Sequence, residues 1–141
     1  MKIGTLLGAL AGAVVMFLLG FLFFGVLLSE YFKGNTIQYA GLVKDPPFFA
    51  MIFLFNLVWA WLIAFVLDYG GRSGWGEGAK IGAILMFVVT LGIFFEFEAF
   101  MNLHKSIAPM LVHLLVATVM GGVVGAVIGM VRGYFNRERA L

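Results

Sequence analysis

Three polar side chains, Glu96, His113 and Asn56, stand within segments of the chain that are otherwise apolar. A carboxyl group in hydrocarbon either keeps its proton or finds a partner, because burying its charge is costly. An imidazole beside it could share that proton, which suits proton-coupled binding or general acid–base chemistry. Trp59, about one helical turn beyond Asn56, brings an indole N–H that also needs a hydrogen-bond partner. These four residues predict a site for a ligand or a proton.

Two other interpretations of the same residues stay open. In the first, Glu96 and His113 form a structural clasp, with the carboxyl group about one turn below the membrane surface and the imidazole bonded to a backbone carbonyl. In the second, Glu96, His104 and His113 bind a metal ion, although the chain lacks the H-x-x-x-H and E-x-x-H spacings that helical metal sites use. No nucleophile accompanies these residues, and the chain has no phosphate-binding or dinucleotide-binding motif. We therefore assign no catalytic residue, no metal ion and no cofactor.

The composition indicates that these residues belong to a membrane protein. Hydrophobic residues make up 63% of the 141 residues and charged residues 11%, whereas a soluble domain has about 25% charged residues. Cysteine is absent, which excludes disulfides and thiolate metal sites. The formal net charge of +2 is too small for nucleic-acid binding, and its excess at Arg132, Arg137 and Arg139 indicates a juxtamembrane anchor. The partner that we expect is the lipid bilayer, and not nucleic acid.

Uncharged runs divide the chain into spans. Runs of 27, 22 and 26 uncharged residues precede Glu30, Asp68 and Arg132, and each exceeds the roughly 20 helical residues that cross a bilayer core. The run between Lys80 and Glu96 has only 15 uncharged residues, so the third span needs one of those two charges. Lys80 can extend its long side chain to the membrane surface, whereas Glu96 has a shorter reach. We therefore expect Glu96 to lie inside the membrane.

The predicted architecture is an all-α membrane protein, a four-helix antiparallel bundle with both termini in the cytoplasm. It forms a single transmembrane domain, residues 1–141, with helices at about 3–29, 47–69, 78–101 and 107–131. The orientation follows from Lys and Arg, which are more frequent on the cytoplasmic side of membrane proteins. Six of them lie on the side of the termini (Lys2, Arg72, Lys80, Arg132, Arg137 and Arg139) and three on the other (Lys33, Lys44 and Lys105). We assign the chain to the plasma (inner) membrane as a multi-pass protein.

Small residues indicate how the four helices pack. Membrane helices associate by close backbone approach, because lipid tails are as apolar as leucine side chains. The glycines predicted to pack are Gly4, Gly8, Gly12, Gly20, Gly82, Gly92, Gly121, Gly125 and Gly129. Extended away from the cytoplasm, the rows of small residues lead to Asn56, Glu96 and His113, at depths of about 13, 6 and 8 Å. We expect a bundle that is tight near the cytoplasm and wider outside, with these polar groups in an outward-facing pocket.

Three further segments share a pattern with known sequences. They are residues 20–25 (GFLFFG), residues 77–83 (EGAKIGA), and His113 followed by residues 119–126 (VMGGVVGA). In these segments the chain resembles a family of uncharacterised bacterial four-helix integral membrane proteins, known as a domain of unknown function. The resemblance covers the whole chain and implies a four-helix membrane fold. It implies no activity, cofactor or site residue.

The expected function is that of a non-enzymatic bundle whose outward-facing pocket binds or transports a small or amphiphilic ligand. A proton-linked form would use Glu96 and His113. The alternative is a structural accessory subunit or homo-oligomer, packed through its glycine rows into a larger membrane complex. A second alternative is a lipid-modifying membrane enzyme that uses Glu96 and His113 as acid and base.

Overall fold

Helices form all the long elements of the computed structural model, which describes residues 3–138 and their side chains up to Phe135. The elements are α1 (Ile3–Gly20), a π-helical continuation of it (Phe21–Leu27), α2 (Ser29–Asn35), α3 (Phe49–Tyr69), α4 (Trp75–Phe100) and α5 (Ala108–Glu138). Four spans are long and apolar enough to cross a membrane, namely Ile3–Leu27, α3, α4 and Ala108–Phe135. The predicted number of spans is therefore confirmed. Lys2, Arg139 and the side chain of Arg137, which the orientation prediction used, lie outside this description.

The third span differs from the prediction at its start. α4 begins at Trp75, directly after Gly74, whose φ of 96° is a conformation that only glycine adopts without strain. The helix therefore gains about one turn before residue 78, and residues 76–95 alone provide about 30 Å of helix. That length crosses a bilayer core. Residues 76–95 include Glu77 and Lys80, and the span Trp75–Phe100 that could cross a membrane includes Glu96, so the position of Glu96 inside the membrane stays a prediction.

The spans pack unequally around the bundle. α4 and α5 contact each other along most of their length, and α1 packs against both α3 and α5. α3 and α4 approach each other at few points. The backbone N–H of Gly74 donates a 2.8 Å hydrogen bond to the carbonyl of Gly129, which ties the α3–α4 connection to α5. We call this end of the bundle, where Gly4 also meets Arg132, the terminal end.

Glycines allow the backbones of α4 and α5 to touch near the terminal end. A Cβ atom at Gly78 or Gly82 would overlap the carbonyl oxygen of Gly125 or Gly121, so no larger residue fits there without moving a helix. Gly129 has the same relation to the carbonyl oxygen of Gly74.

The glycines of α1 face α5. A Cβ atom at Gly4, Gly8 or Gly12 would lie 3.0, 3.3 or 2.7 Å from a side-chain atom of Phe135 or Ile128.

Two of the predicted packing glycines do not lie at a close helix contact. A Cβ atom at Gly20 would come no nearer than 3.8 Å to another atom, and one at Gly92 would have nothing within 4 Å. Gly92 therefore faces open space, contrary to the prediction.

A buried ion pair joins α5 to α3 at the terminal end. The Arg132 side chain is only 2% exposed, and its Nη2 atom lies 2.7 Å from Oδ1 of Asp68 at the end of α3. Its Nη1 atom donates to the backbone carbonyl of Arg72. α5 continues past Arg132, so this residue lies within the helix and not at its end. Arg132 links α5 to α3 and to the following turn, and its role as a membrane-surface anchor stays a prediction.

At the opposite end, which we call the loop end, hydrogen bonds join the connection that precedes α3 to the connection between α4 and α5. The N–H of Ile37 donates to the carbonyl of Leu103 (2.8 Å), and the N–H of Lys105 donates to the carbonyl of Asn35 (3.0 Å). The Tyr39 hydroxyl donates to the carbonyl of Asn102 at 2.8 Å. α2 and the segments 36–48 and 101–107 therefore form one layer over this end of the spans.

Candidate binding cavity

A cavity of about 770 Å³ lies among the four spans, between the glycine contacts and the loop end. This volume falls in the range of about 300–1,000 Å³ that is typical of small-molecule sites. Its deep end is formed by three flexible methionines, Met16, Met86 and Met120, together with Ala117. Most of its remaining wall is aromatic or aliphatic. The bundle is therefore closed at the terminal end and hollow toward the loop end.

The π-helical segment explains why the spans separate here. The N–H of Leu28 bonds to the carbonyl of Phe23, five residues earlier, at 2.8 Å. The Phe21–Leu27 segment makes few close backbone contacts with α3, α4 or α5, whereas α1 packs closely. Phe21, Phe24 and Gly25 from this segment line the cavity. Short π-helical stretches are uncommon and occur frequently at functional sites.

Aromatic rings surround His113 on the cavity wall. Its ring centroid lies 4.7 Å from that of Phe24, 5.3 Å from that of Phe94 and 6.0 Å from that of Phe32. These rings come from the π-helical segment, α4 and α2. Among the described residues His113 has no hydrogen-bond partner, so its ring nitrogens are available to a ligand.

Asn56 and Trp59 line the cavity from α3. Asn56 is 5% exposed, and its Nδ2 donates to the carbonyl of Ile52 at 2.8 Å. The Asn56 amide has two N–H groups and one oxygen, so one N–H and Oδ1 remain available to another partner. The Trp59 ring packs edge-to-face on Phe55 at 6.0 Å, and its indole N–H has no acceptor among the residues described. Both side chains therefore offer polar atoms to the cavity.

Thr90 is a cavity residue that the sequence reasoning missed. It lies on α4, is buried, and its hydroxyl makes no hydrogen bond within the described part of the chain. It is the one hydroxyl in the apolar run of residues 81–95. A polar residue in such a run is a signal that could have identified it.

The structure does not bring Glu96 to this site. Glu96 is exposed, does not line the cavity, and has no ion pair or hydrogen bond with any described residue. The expected pairing of Glu96 with His113 is therefore absent from the described part of the chain.

The second imidazole belongs to the loop end. Nδ1 of His104 lies 3.0 Å from Oε1 of Glu98, which links the end of α4 to the following segment. Among the side chains described, up to Phe135, no group of three or more His, Asp and Glu residues could hold a metal ion.

No model of a protein family, no curated protein and no solved structure matches the chain. The resemblance to a bacterial four-helix family stays a prediction. The spans place four polar side chains around one cavity, which are those of Asn56, Trp59, Thr90 and His113.

Proposed function

We propose that this chain is a multi-pass protein of the plasma (inner) membrane that binds a small, largely apolar ligand in the cavity among its four spans. One observation carries the proposal. Four polar side chains reach a cavity that is otherwise apolar, and each keeps polar atoms that no described residue satisfies. These atoms are accessible from the cavity and are not sealed inside the protein, so a molecule in the cavity can be their hydrogen-bond partner. A bound ligand is the partner that fits the volume.

The proposed architecture is an antiparallel bundle with both termini in the cytoplasm and the cavity toward the outer leaflet. The antiparallel arrangement is supported by the glycine contacts, because Gly78 meets Gly125 whereas Gly82 meets Gly121. The orientation is supported by the six-to-three distribution of Lys and Arg.

The two alternative functions receive less support. A subunit packed through its glycine rows would need those glycines on its surface, yet most of them are used between spans of the same chain. A lipid-modifying enzyme would need Glu96 next to His113, and Glu96 lies outside the cavity. A proton-linked form of binding would rest on His113 alone.

Binding of ten-carbon amphiphiles to the protein in nanodiscs tests the proposal. Decanol and decanoate are titrated while intrinsic tryptophan emission is followed, since Trp59 lies in the cavity wall. We expect saturable binding of at least one of them, and a dissociation constant raised about threefold to tenfold in Asn56→Leu and in His113→Phe, because each loses a hydrogen bond.

Glu96→Gln is the matched control, since it removes a charge at the same end of the bundle without touching the cavity. It should leave the dissociation constant unchanged. Equal dissociation constants in wild type, Asn56→Leu and His113→Phe, or an effect of Glu96→Gln as large as that of His113→Phe, would contradict the proposal.

A further inference from the structure

Three of the four polar residues of the cavity lie deep along the spans, whereas His113 is five residues from the start of α5. Asn56 and Trp59 are seven and ten residues from the start of α3, and Thr90 is ten residues from the end of α4. At 1.5 Å per residue these positions are about 10–15 Å from the helix ends, which is near the middle of a hydrocarbon core about 30 Å thick. A phospholipid or fatty acid offers only alkyl chain at that depth. The ligand that satisfies these groups therefore carries polar atoms inside the hydrocarbon layer.

The cavity wall has no charged residue, since none of the residues that line it is Asp, Glu, Lys or Arg. A charged ligand would lose its hydration here without gaining an opposite charge, which is costly. A neutral ligand avoids that cost.

Each of the four polar side chains can donate a hydrogen bond, and Asn56, Thr90 and His113 can also accept one. The indole of Trp59 can only donate, the Asn56 amide keeps one N–H, and the Thr90 hydroxyl and the His113 imidazole can both donate. They come from three different spans, so a ligand between them needs acceptors on more than one side. Phe24 and Phe94, which contact the His113 ring, also line the cavity and can pack against a flat ring. A planar ring with carbonyl groups meets both requirements.

The cavity opens at the surface of the bundle. Among its lining residues, Phe49, Phe55 and Phe97 are 52%, 58% and 40% exposed. They belong to α3 and α4, the two spans that approach each other at few points. A molecule dissolved in the bilayer can therefore enter sideways, and an apolar tail can extend out between α3 and α4.

We propose that the ligand of this cavity is a neutral, membrane-dissolved carbonyl compound of the prenylated-quinone type. Its ring carbonyls accept hydrogen bonds from Trp59, Thr90 and His113, and its tail leaves between α3 and α4. This inference rests on the proposed binding function and names the class of ligand. It concerns binding only.

Quenching of tryptophan emission by decylbenzoquinone tests it, because the quinone ring quenches an indole that it contacts. In nanodiscs, the reporter is the variant Trp61→Phe/Trp75→Phe, in which Trp59 is the remaining tryptophan. The matched reporter is Trp59→Phe/Trp75→Phe, which keeps Trp61 on the same helix, 43% exposed and outside the cavity. We expect saturable quenching of Trp59, and linear, collisional quenching of Trp61.

Two variants then test the orientation of the ring. His113→Phe and Thr90→Val should each raise the dissociation constant for decylbenzoquinone about threefold to tenfold. Valine has nearly the shape of threonine without the hydroxyl group. Thr90→Val therefore still tests the proposal if His113→Phe does not fold. Decylbenzene, which has the ring and the tail without the carbonyls, should not displace the quinone at concentrations tenfold above it.

The possible outcomes distinguish failure of the quinone inference from failure of the proposed binding function. Linear quenching of both reporters, together with saturable binding of decanol or decanoate, would overturn the quinone inference and leave the binding function standing. Absence of saturable binding for all three compounds would overturn both. Equal dissociation constants in wild type, His113→Phe and Thr90→Val, or displacement by decylbenzene, would refute recognition through the carbonyl groups.

Discussion

Arg132 is the most deeply buried charged side chain in the described part of the chain, and Asp68 is its partner. Taking two charges out of water costs about as much as their attraction returns, so such a pair adds little net stability over apolar residues. Breaking the pair is different, because it leaves one charge buried without compensation. The pair therefore fixes which side chains meet at the terminal end more than it stabilises the fold.

Replacing one partner of this pair should destabilise the protein more than replacing both. We expect Arg132→Met to lower the free energy of unfolding by about 3 kcal/mol, and the double variant Arg132→Met/Asp68→Leu to recover most of that loss. Unfolding in mixed micelles, followed by far-ultraviolet circular dichroism, measures both. Glu30→Gln is the control, because it breaks the exposed Glu30–Lys33 pair and should cost at most about 1 kcal/mol. A double variant as unstable as the single one would contradict this reasoning.

Thr5 presents the opposite situation, a buried hydroxyl without a partner. It is fully buried on α1, and its Oγ1 has no hydrogen bond among the described residues. An unsatisfied polar group costs free energy, so Thr5→Val should raise the free energy of unfolding by about 1 kcal/mol. Thr118→Val is the matched control, since the Thr118 hydroxyl donates to the carbonyl of Leu114 at 2.7 Å. Stabilisation by Thr118→Val equal to that by Thr5→Val would show that the missing partner is not the cause.

At the scale of the element, helices contact each other along rows of residues that are inclined to the helix axis. These rows determine which residues reach the cavity. Rows of residues four apart run at an angle to the helix axis, about 26°. On α3 and α5 such rows lead from the small residues to Asn56 and His113, which line the cavity. On α4 the buried row is Gly78, Gly82, Met86, Thr90 and Phe94. The row predicted for α4 instead ran from Gly82 and Gly92 to Glu96.

The glycines of α4 provide a matched pair for testing this packing. In Gly82→Ala the new methyl group would overlap the carbonyl oxygen of Gly121, so α4 and α5 must separate. We expect a loss of about 1–3 kcal/mol in the free energy of unfolding. In Gly92→Ala nothing lies within 4 Å of the new methyl group, and the higher helix propensity of alanine should leave the protein as stable or up to about 1 kcal/mol more stable. Equal losses in the two variants would contradict the packing described for α4 and α5.

At the scale of the molecule, run lengths between charges were sufficient to predict four spans, because bilayer thickness sets the length of a helix that crosses it. They could not place the start of α4, since Gly74 lets the helix begin before Glu77 and Lys80. The cavity was predicted as an outward-facing pocket with Asn56, His113 and Glu96, of which the first two line it. Its shape depends on the π-helical Phe21–Leu27 segment, which no period in the sequence indicates.

The proposed orientation of the whole bundle predicts which connections can be reached from outside the cell. Because Lys and Arg favour the cytoplasmic side, the segment 36–48 should face outward and the turn around Ser73 should face inward. The chain has no cysteine, so a single introduced cysteine is its only thiol. In intact cells, a membrane-impermeant maleimide should label Ala40→Cys, and it should label Ser73→Cys only after the membrane is opened. Both positions are exposed, so accessibility within the protein does not distinguish them. The reverse labelling pattern would invert the bundle and place the cavity in the cytoplasmic leaflet.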